Sequence, residues 1–253
     1  RGDPANQFVV QTHPWILQEL LYGSAGCTLA RPSQTTIARV RAEMSRGTIA
    51  WQAKPFNMLV ELAPSALLDW SFGIGQKLNR EFNQTWGLAA TSADVCGISL
   101  GAVPVLAAHG VRAIHMGYNN GGHFPTETGI ATNSHLSESR TFRWQHSAGG
   151  AEVIVMNEPA YGDRVVIPGC PDALVFDFHS DNTLPPTVDQ HLTFLNSTRA
   201  QFPGASVRAS SLDNFVASLE KCRHLLPLVT GVEVGDSWLS EAGTDPFLYA
   251  GMR

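Results

Sequence analysis

The feature that most constrains the fold is an alternation of short apolar runs with helical patterns along the chain. Strand-like runs at residues 48–51 and 87–93 are each followed by a segment of helical periodicity, at 64–82 and 99–109. Strands that alternate with helices pair in parallel and carry the helices outside the sheet. The sequence therefore predicts an α/β fold, and periodicity alone leaves open whether the sheet is a closed barrel or doubly wound.

The same alternation continues on both sides of this central part. Further strands are predicted at 8–10, 111–116, 141–144, 152–156, 173–178, 206–209 and 228–232, and further helices at 14–21, 33–46, 187–202 and 212–221. The glycine-rich turn 146–150 predicts that strands 141–144 and 152–156 form a hairpin. No Gly-, Ser- or Pro-rich linker and no repeat divides the 253 residues, so we expect a single domain over 1–253.

Composition and charge exclude two classes of partner. Charged residues make up 15% of the chain, and its net charge of -5 comes without any block of like charges. A nucleic-acid surface would require clustered Lys and Arg. No apolar run approaches the roughly 18 residues that cross a membrane. We therefore expect neither a nucleic-acid partner nor a membrane span, and no pattern indicates an oligomeric state.

The cysteines show no pairing pattern. They are Cys27, Cys96, Cys170 and Cys222, widely spaced and without a CxxC pair. This spacing predicts free buried thiols rather than a zinc knuckle or a disulfide framework.

The location of the protein is only indirectly indicated. Two glycosylation sequons, 83–85 and 196–198, favour a secretory or extracellular location. The chain begins at Arg1, which suggests a processed or truncated piece, so its targeting signals cannot be read and the location is otherwise unknown.

Polar residues follow several predicted strands, at the carboxyl ends where α/β folds bind ligands. These residues are Asp94; Asn119, Asn120 and His123; Asp177, His179, Asp181 and Asn182; and Glu233 and Asp236. This set could supply the His and carboxylate ligands of a metal site, the two carboxyl groups of a glycosidase, or neither, because Asp and Asn are common loop residues. Asp94 is equally suited to cap the following helix, and His115, inside an apolar strand, is typical of a core histidine.

Familiar catalytic motifs are absent from the sequence. It contains no GxSxG, GxxxxGK, GxGxxG or HExxH, which disfavours serine-hydrolase, nucleotide and zincin chemistry.

A series of short landmarks runs in order along nearly the whole chain. They are THPW at 12–15, IAWQAKPF at 49–56 with Glu61, DVCGIS at 94–99, GVRAIHMGYN at 110–119, YG at 161–162, SDN at 180–182 and EVGDSW at 233–238. In these landmarks the chain resembles the barrel domain of glycoside hydrolase family 38, the α-mannosidases. It is more similar still to an uncharacterised branch beside that family, a domain of unknown function.

This resemblance implies a seven-stranded (β/α)-type barrel, as in these glycoside hydrolases and the related deacetylases, with zinc in its mouth. Asp94 matches the aspartate that contacts the metal and attacks the anomeric carbon. Such a carboxylate forms a glycosyl-enzyme that water later hydrolyses. The metal ligands expected in this chain are Asp94 and His179, and the expected partner is a carbohydrate substrate.

The resemblance also suggests residues around the sugar. Asn119, Asp181 and Asn182 fall in landmarks of the uncharacterised branch and would line the pocket. Trp51 would stack on a sugar face, although tryptophan in a barrel is commonly a core residue. Glu61 lies past the strand 48–51, where a general acid could sit, and its alternative is a solvated loop carboxylate.

Two departures from the family pattern limit the expected chemistry. Related sequences usually have Pro and His where Cys96 and Ile98 stand here. The family's first strand ends in a His-x-Asp pair that binds zinc, whereas Trp15 occupies the place of that aspartate. We therefore expect the barrel to be incomplete at its N-terminus, lacking its first strand. Loss of two ligands would weaken zinc binding severely.

Three functions remain open at this point. The first is a metal-assisted, retaining glycoside hydrolase of the α-mannosidase type, which the loss of two ligands would make inactive in this fragment even if its full-length parent is active. The second is a non-catalytic carbohydrate-binding domain or pseudoenzyme, which Ile98 and the missing ligand pair favour. The third is a polysaccharide deacetylase-like metal hydrolase, because those enzymes use a related barrel.

Overall fold

The computed structural model describes residues 7–23, 30–58, 60, 63–94, 98–117, 141–158, 161–162, 164–178, 183–233 and 251. Its strands are β1 (Val10–Thr12), β2 (Ile49–Trp51), β3 (Ala89–Ala93), β4 (Ala113–Gly117), β5 (Thr141–Gln145), β6 (Glu152–Glu158), β7 (Arg164–Val165), β8 (Leu174–Val175) and β9 (Leu228–Thr230). Its α-helices are α1 (Pro14–Tyr22), α2 (Gln34–Arg46), α3 (Ser65–Ser71), α4 (Gly73–Phe82), α5 (Val103–Ala108), α6 (Val188–Gln201) and α7 (Leu212–Leu219). Two 3₁₀ turns span Leu100–Ala102 and Glu220–Leu225.

The main sheet is five-stranded and mixed. Its order is β3-β4-β6-β5-β9, in which β3, β4 and β6 are parallel, β5 is antiparallel to β6, and β9 is parallel to β5. The parallel pair β1–β2 adjoins β3, because the Ala53 N–H, just past β2, donates to the Ala89 carbonyl at 2.8 Å. The arrangement is α/β-like, and these strands do not form a closed ring, so the seven-stranded barrel stays a prediction.

Two strand predictions differ from the structure. The predicted strand 173–178 is reduced to β8, which pairs with β7 outside the main sheet. Its following residues turn to other partners, since Phe176 packs against His115 and Asp177 pairs with His191. Residues 206–209 adopt no strand and pair with none of the described strands. The predicted β5–β6 hairpin is confirmed by its antiparallel register.

Local signals place the helix ends. Ser33 caps α2 by accepting the Thr36 N–H at 3.1 Å, and Gly47 ends the helix with a φ of 77°, a conformation that favours glycine. Thr187 and Gln190 form a reciprocal capping box at the start of α6. The predicted helix 64–82 is two helices, α3 and α4, with the buried Phe72 at the junction.

Helices cover both faces of the main sheet. Adjacent residues of β6 point to opposite sides, so Val155 packs with α3 and α5 whereas Ile154 packs with α7. A third cluster joins α1, α2 and α4 around Trp51, which is only 1% exposed and donates its indole N–H to the Gly75 carbonyl. Trp51 therefore lies in the core, which was its alternative assignment, and presents no open face to a sugar.

One buried carboxylate joins α7 to the start of β3. Asp213 accepts the backbone N–H groups of Gly87, Leu88 and Ala89 at 2.6, 2.9 and 3.0 Å. Burial raises the pKa of the Asp213 carboxyl, and the three N–H groups oppose that rise. Because β3 precedes the polar edge described below, this contact fixes the strand on which that edge depends.

The expectation of free thiols is wrong for two of the four cysteines. Cys170 and Cys222 form a disulfide with their Cα atoms 5.7 Å apart. It connects the turn after β7 to the 3₁₀ turn after α7, across 52 positions of sequence. Spacing in the sequence could not reveal this pair, because the two cysteines approach each other only through the fold. Cys27 and Cys96 lie outside the described residues.

Asp213→Ala is expected to lower the free energy of unfolding by about 3 kcal/mol, since it leaves three N–H donors, two partly buried and one buried, without their acceptor. Urea unfolding followed by circular dichroism measures this loss. The matched control is Asp189→Ala, which removes an exposed acid from the first turn of α6 and should cost about 0.3–1 kcal/mol. Equal losses in the two variants would contradict the anchoring role of Asp213.

The double variant Cys170→Ser, Cys222→Ser is expected to lose about 4 kcal/mol of stability, because the disulfide restricts a loop of 52 positions in the unfolded chain. Reductant should shift the urea midpoint of the wild type and leave that of the double variant unchanged. Mass spectrometry of the alkylated, unreduced protein checks the pairing directly. Recovery of both cysteines as alkylated peptides would show that the bond is absent.

Candidate functional site

The carboxyl ends of the parallel strands meet at one edge of the sheet. Ala93, Gly117 and Glu158, which end β3, β4 and β6, lie side by side in register. Parallel α/β sheets bind ligands at this edge, where the strands give way to loops. The described side chains of this edge form the candidate site.

Asp94 stands directly after β3, in an unusual backbone conformation. Its φ is 62°, a left-handed value that asparagine and aspartate tolerate better than other non-glycine residues. Its N–H donates to the Gly117 carbonyl at 2.9 Å, which extends the β3–β4 pairing by one residue. Its side chain is exposed, and the Tyr161 hydroxyl donates to Asp94 Oδ1 at 2.8 Å. Asp94 is thus a carboxylate presented at the strand edge.

The cap alternative for Asp94 concerns the helical segment that follows β3. The capping position of the following 3₁₀ turn is Ser99, which has an extended backbone, and α5 begins only at Val103. The carboxylate that serves this turn is Glu233, whose two oxygens each lie 2.9 Å from the Leu100 N–H. The Leu100 N–H is thus served by a carboxylate from another part of the chain, and the residues directly after Asp94, 95–97, lie outside the described part.

Buried polar side chains collect at this edge and at the adjoining end of β2. They are Gln52, Lys54, Ser92, Asn157 and Glu158, and none is more than 3% exposed. Lys54, which is 1% exposed, donates from Nζ to Ser92 Oγ at 3.0 Å. So many buried polar groups are uncommon in a plain apolar core, where each needs a partner to offset its desolvation. These side chains therefore form a polar layer directly beneath the edge.

A chain of hydrogen bonds runs across the ends of the first three strands. The Thr91 N–H of β3 donates to Gln52 Oε1, which fixes the orientation of the Gln52 amide. Gln52 Nε2 then lies 2.7 Å from His13 Nδ1 and 3.3 Å from its Nε2, so the amide donates to the nearer ring nitrogen. Burial lowers the pKa of His13, and the nearby Lys54 charge acts in the same direction, against a backbone hydrogen bond. His13 is therefore neutral near pH 7.

His115 lies in the middle of β4 and is buried, as expected of a core histidine. Its ring packs on Phe176 with 4.3 Å between centroids, and its Nε2 contacts no hydrogen-bonding atom of the described residues. Burial lowers the pKa of His115 to about 4. A Cβ at Gly162, whose φ is 137°, would lie 2.9 Å from Phe176 Cγ. Glycine at this position thus allows Phe176 to pack between the backbone and His115.

Asp177, another predicted edge residue, is directed to a different partner. Its Oδ2 lies 2.9 Å from Nδ1 of His191, which belongs to α6. His191 Nε2 lies 3.4 Å from the Gln7 carbonyl, and Phe8 packs edge-on against the same ring. Asp177 therefore serves a contact between α6 and the segment before β1.

Several predicted site residues lie outside the described part of the chain. They are Glu61, Asn119, His179, Asp181 and Asn182, together with Asn120, His123 and Asp236. Within the described part, no group of three His, Cys, Asp or Glu side chains converges as a metal site would require. The described residues therefore do not by themselves form a zinc site, and zinc remains a prediction that depends on His179.

The sequence analysis did not single out the buried polar residues of the edge. Gln52 and Lys54 lie within the landmark 49–56, where Gln52 directly follows an apolar strand and Lys54 comes two residues later. Asn157 and Glu158 extend an apolar strand in the same way, at the end of β6. Polar residues at the end of a buried strand could thus have identified all four residues from the sequence.

Comparison with known proteins adds no family. No protein-family model matches the sequence, and no curated protein is significantly similar to it. The resemblance to α-mannosidases accordingly rests on the quoted landmarks. None of the helices in the described ranges is both long and apolar enough to cross a membrane.

The free energy of unfolding should fall by up to about 3 kcal/mol as pH decreases from 6.5 to 4, because the unfolded chain protonates His115 before the folded chain does. Urea midpoints at a series of pH values measure this slope. His115→Gln should flatten it, whereas His146→Gln, which removes an exposed histidine of the β5–β6 turn, should retain it. A wild-type slope in His115→Gln would contradict the assignment.

Proposed function

We propose that the protein is a carbohydrate-active hydrolase of the α-mannosidase type, with its sugar bound at the carboxyl edge and Asp94 as the nucleophile. The observation that carries the proposal is the exposed Asp94 carboxylate, held by Tyr161 at the end of a parallel strand. The landmark resemblance supplies the substrate class. A nucleophile must reach the substrate and keep a fixed orientation, and both conditions are met by this side chain.

In the proposed reaction, a carboxylate oxygen of Asp94 attacks the anomeric carbon. The bond from that carbon to the leaving oxygen breaks, and a general acid protonates the leaving oxygen. Glu61 is the predicted acid. Water then attacks the anomeric carbon of the glycosyl-Asp94 ester and gives a proton to the deprotonated general acid. This step releases the sugar with retained configuration and regenerates the Asp94 carboxylate and the acid. The Tyr161 hydroxyl, 2.8 Å from Oδ1, would fix the plane of the attacking carboxylate.

Zinc is the cofactor that the resemblance implies, with Asp94 and His179 as predicted ligands. When bound, it would supply Lewis-acid binding of sugar hydroxyls. No step above depends on it, because the described residues do not complete a ligand set. Elemental analysis of the purified protein and activity after chelation test this prediction separately from the role of Asp94.

A second candidate is a non-catalytic carbohydrate-binding domain. The position at which related sequences usually carry a histidine is Ile98, which is 1% exposed and packs in the core with Ala102 and Val103. This position thus contributes an apolar core residue and no polar group to the edge. Such a protein would bind sugars and release neither sugar nor acetate.

Asp94→Asn is expected to lower hydrolysis of a chromogenic α-mannoside by at least about a thousandfold, because the amide is a poor nucleophile. Tyr161→Phe should cost about tenfold, the value of one hydrogen bond. A fluorinated α-mannosyl substrate that hydrolyses slowly should label the peptide containing Asp94, as detected by mass spectrometry.

The control is Asp189→Asn, an exposed carboxylate of α6 that should retain full turnover. Wild-type turnover in Asp94→Asn would exclude the proposed mechanism. Calorimetric binding of sugars without turnover by the wild type would establish the second candidate, and acetate release from an acetylated polysaccharide would indicate a deacetylase.

A further inference from the structure

The two glycosylation sequons stand in different structural settings. Asn83 follows α4 in a left-handed conformation, with φ 51° and ψ 49°, and both Asn83 and Thr85 are exposed. Residues 84–87 adopt no helix or strand. The asparagine amide and the threonine hydroxyl of this sequon are thus both at the surface, in a turn rather than inside a regular element.

The second sequon lies within α6 and is tied into that helix. The Asn196 Oδ1 accepts from Arg199 Nη1 at 2.9 Å. Thr198, the hydroxyl residue of the sequon, is buried and donates to the Phe194 carbonyl at 3.0 Å. In the folded chain the Thr198 hydroxyl is thus bonded within the helix and buried, out of reach of a transferring enzyme.

A separate observation indicates where such a chain would meet a glycosylating enzyme. The Cys170–Cys222 disulfide requires an oxidising environment, and the secretory compartment that supplies it also carries out asparagine glycosylation. The bond and the exposed sequon therefore point to the same compartment.

We propose that Asn83 carries an N-linked oligosaccharide and is the preferred site of the two sequons. The donor would be an oligosaccharide linked to a polyprenyl diphosphate. In the transfer, the first sugar's anomeric carbon forms a bond to Asn83 Nδ2, its bond to the diphosphate oxygen breaks, and the amide loses one proton. This inference does not depend on the proposed hydrolase activity.

The turn that carries Asn83 is fixed to its surroundings. Gln84 donates from Nε2 to the Met44 and Ser45 carbonyls at the end of α2, and Asn79 Nδ2 donates to the Trp86 carbonyl. The turn leads into the amino end of β3, whereas the candidate site lies beyond the carboxyl end of that strand. A glycan on Asn83 would thus extend from a rigid support and leave the polar edge open.

The test is expression of the chain behind a secretory signal sequence in a eukaryotic cell, followed by release of glycans with an amidase that converts glycosylated asparagine to aspartate. The Asn83 peptide is expected to be recovered mainly in the aspartate form, at higher occupancy than the Asn196 peptide. Thr85→Ala should abolish the modification while keeping Asn83, and Thr85→Ser, which preserves the sequon, should retain it.

Recovery of an unmodified Asn83 peptide would overturn the proposal, as would occupancy at Asn196 equal to or above that at Asn83. A Thr85→Ala protein that still yields the aspartate form would show that the conversion is spontaneous deamidation. Asn196→Gln is the matched control, and it is expected to leave the occupancy of Asn83 unchanged.

Discussion

The contact between Asp213 and the start of β3 is the interaction on which the rest of the fold depends. A single carboxylate accepts three successive backbone N–H groups where the strand begins, two of them partly buried and one buried. It joins α7, which lies late in the sequence, to a strand that lies much earlier in the sequence. Asp94 directly follows the other end of the same strand. The contact at the start of β3 therefore also helps to position the candidate nucleophile relative to the sheet.

The parts of the structure that follow from local physics could be predicted from the sequence. Ser33, Gly47 and Thr187 act within three residues of their partners, so their side chains and backbone preferences determine where α2 and α6 begin or end. The hairpin of β5 and β6 is equally local. In each case the residues that determine the feature lie close together in the sequence.

The parts that depend on distant partners could not be predicted. The segment 173–178 has the composition of a buried strand, yet Phe176 and Asp177 find ring and imidazole partners that draw them away from the sheet. Cys170 reaches Cys222 only because the surrounding chain folds. In the site, the position of Asp94 after β3 was readable, whereas its left-handed backbone and its bond to Tyr161 depend on how three separate segments meet.

Phe176 has a mechanical consequence for the edge of the sheet. Its ring is held between His115 and the backbone of Gly162, and Gly162 is covalently next to Tyr161. A shift of the β7–β8 hairpin would therefore move Tyr161 and change the electrostatic environment of Asp94. The β7–β8 pair thus couples the surface on which it lies to the orientation of Tyr161, the hydrogen-bond donor to Asp94.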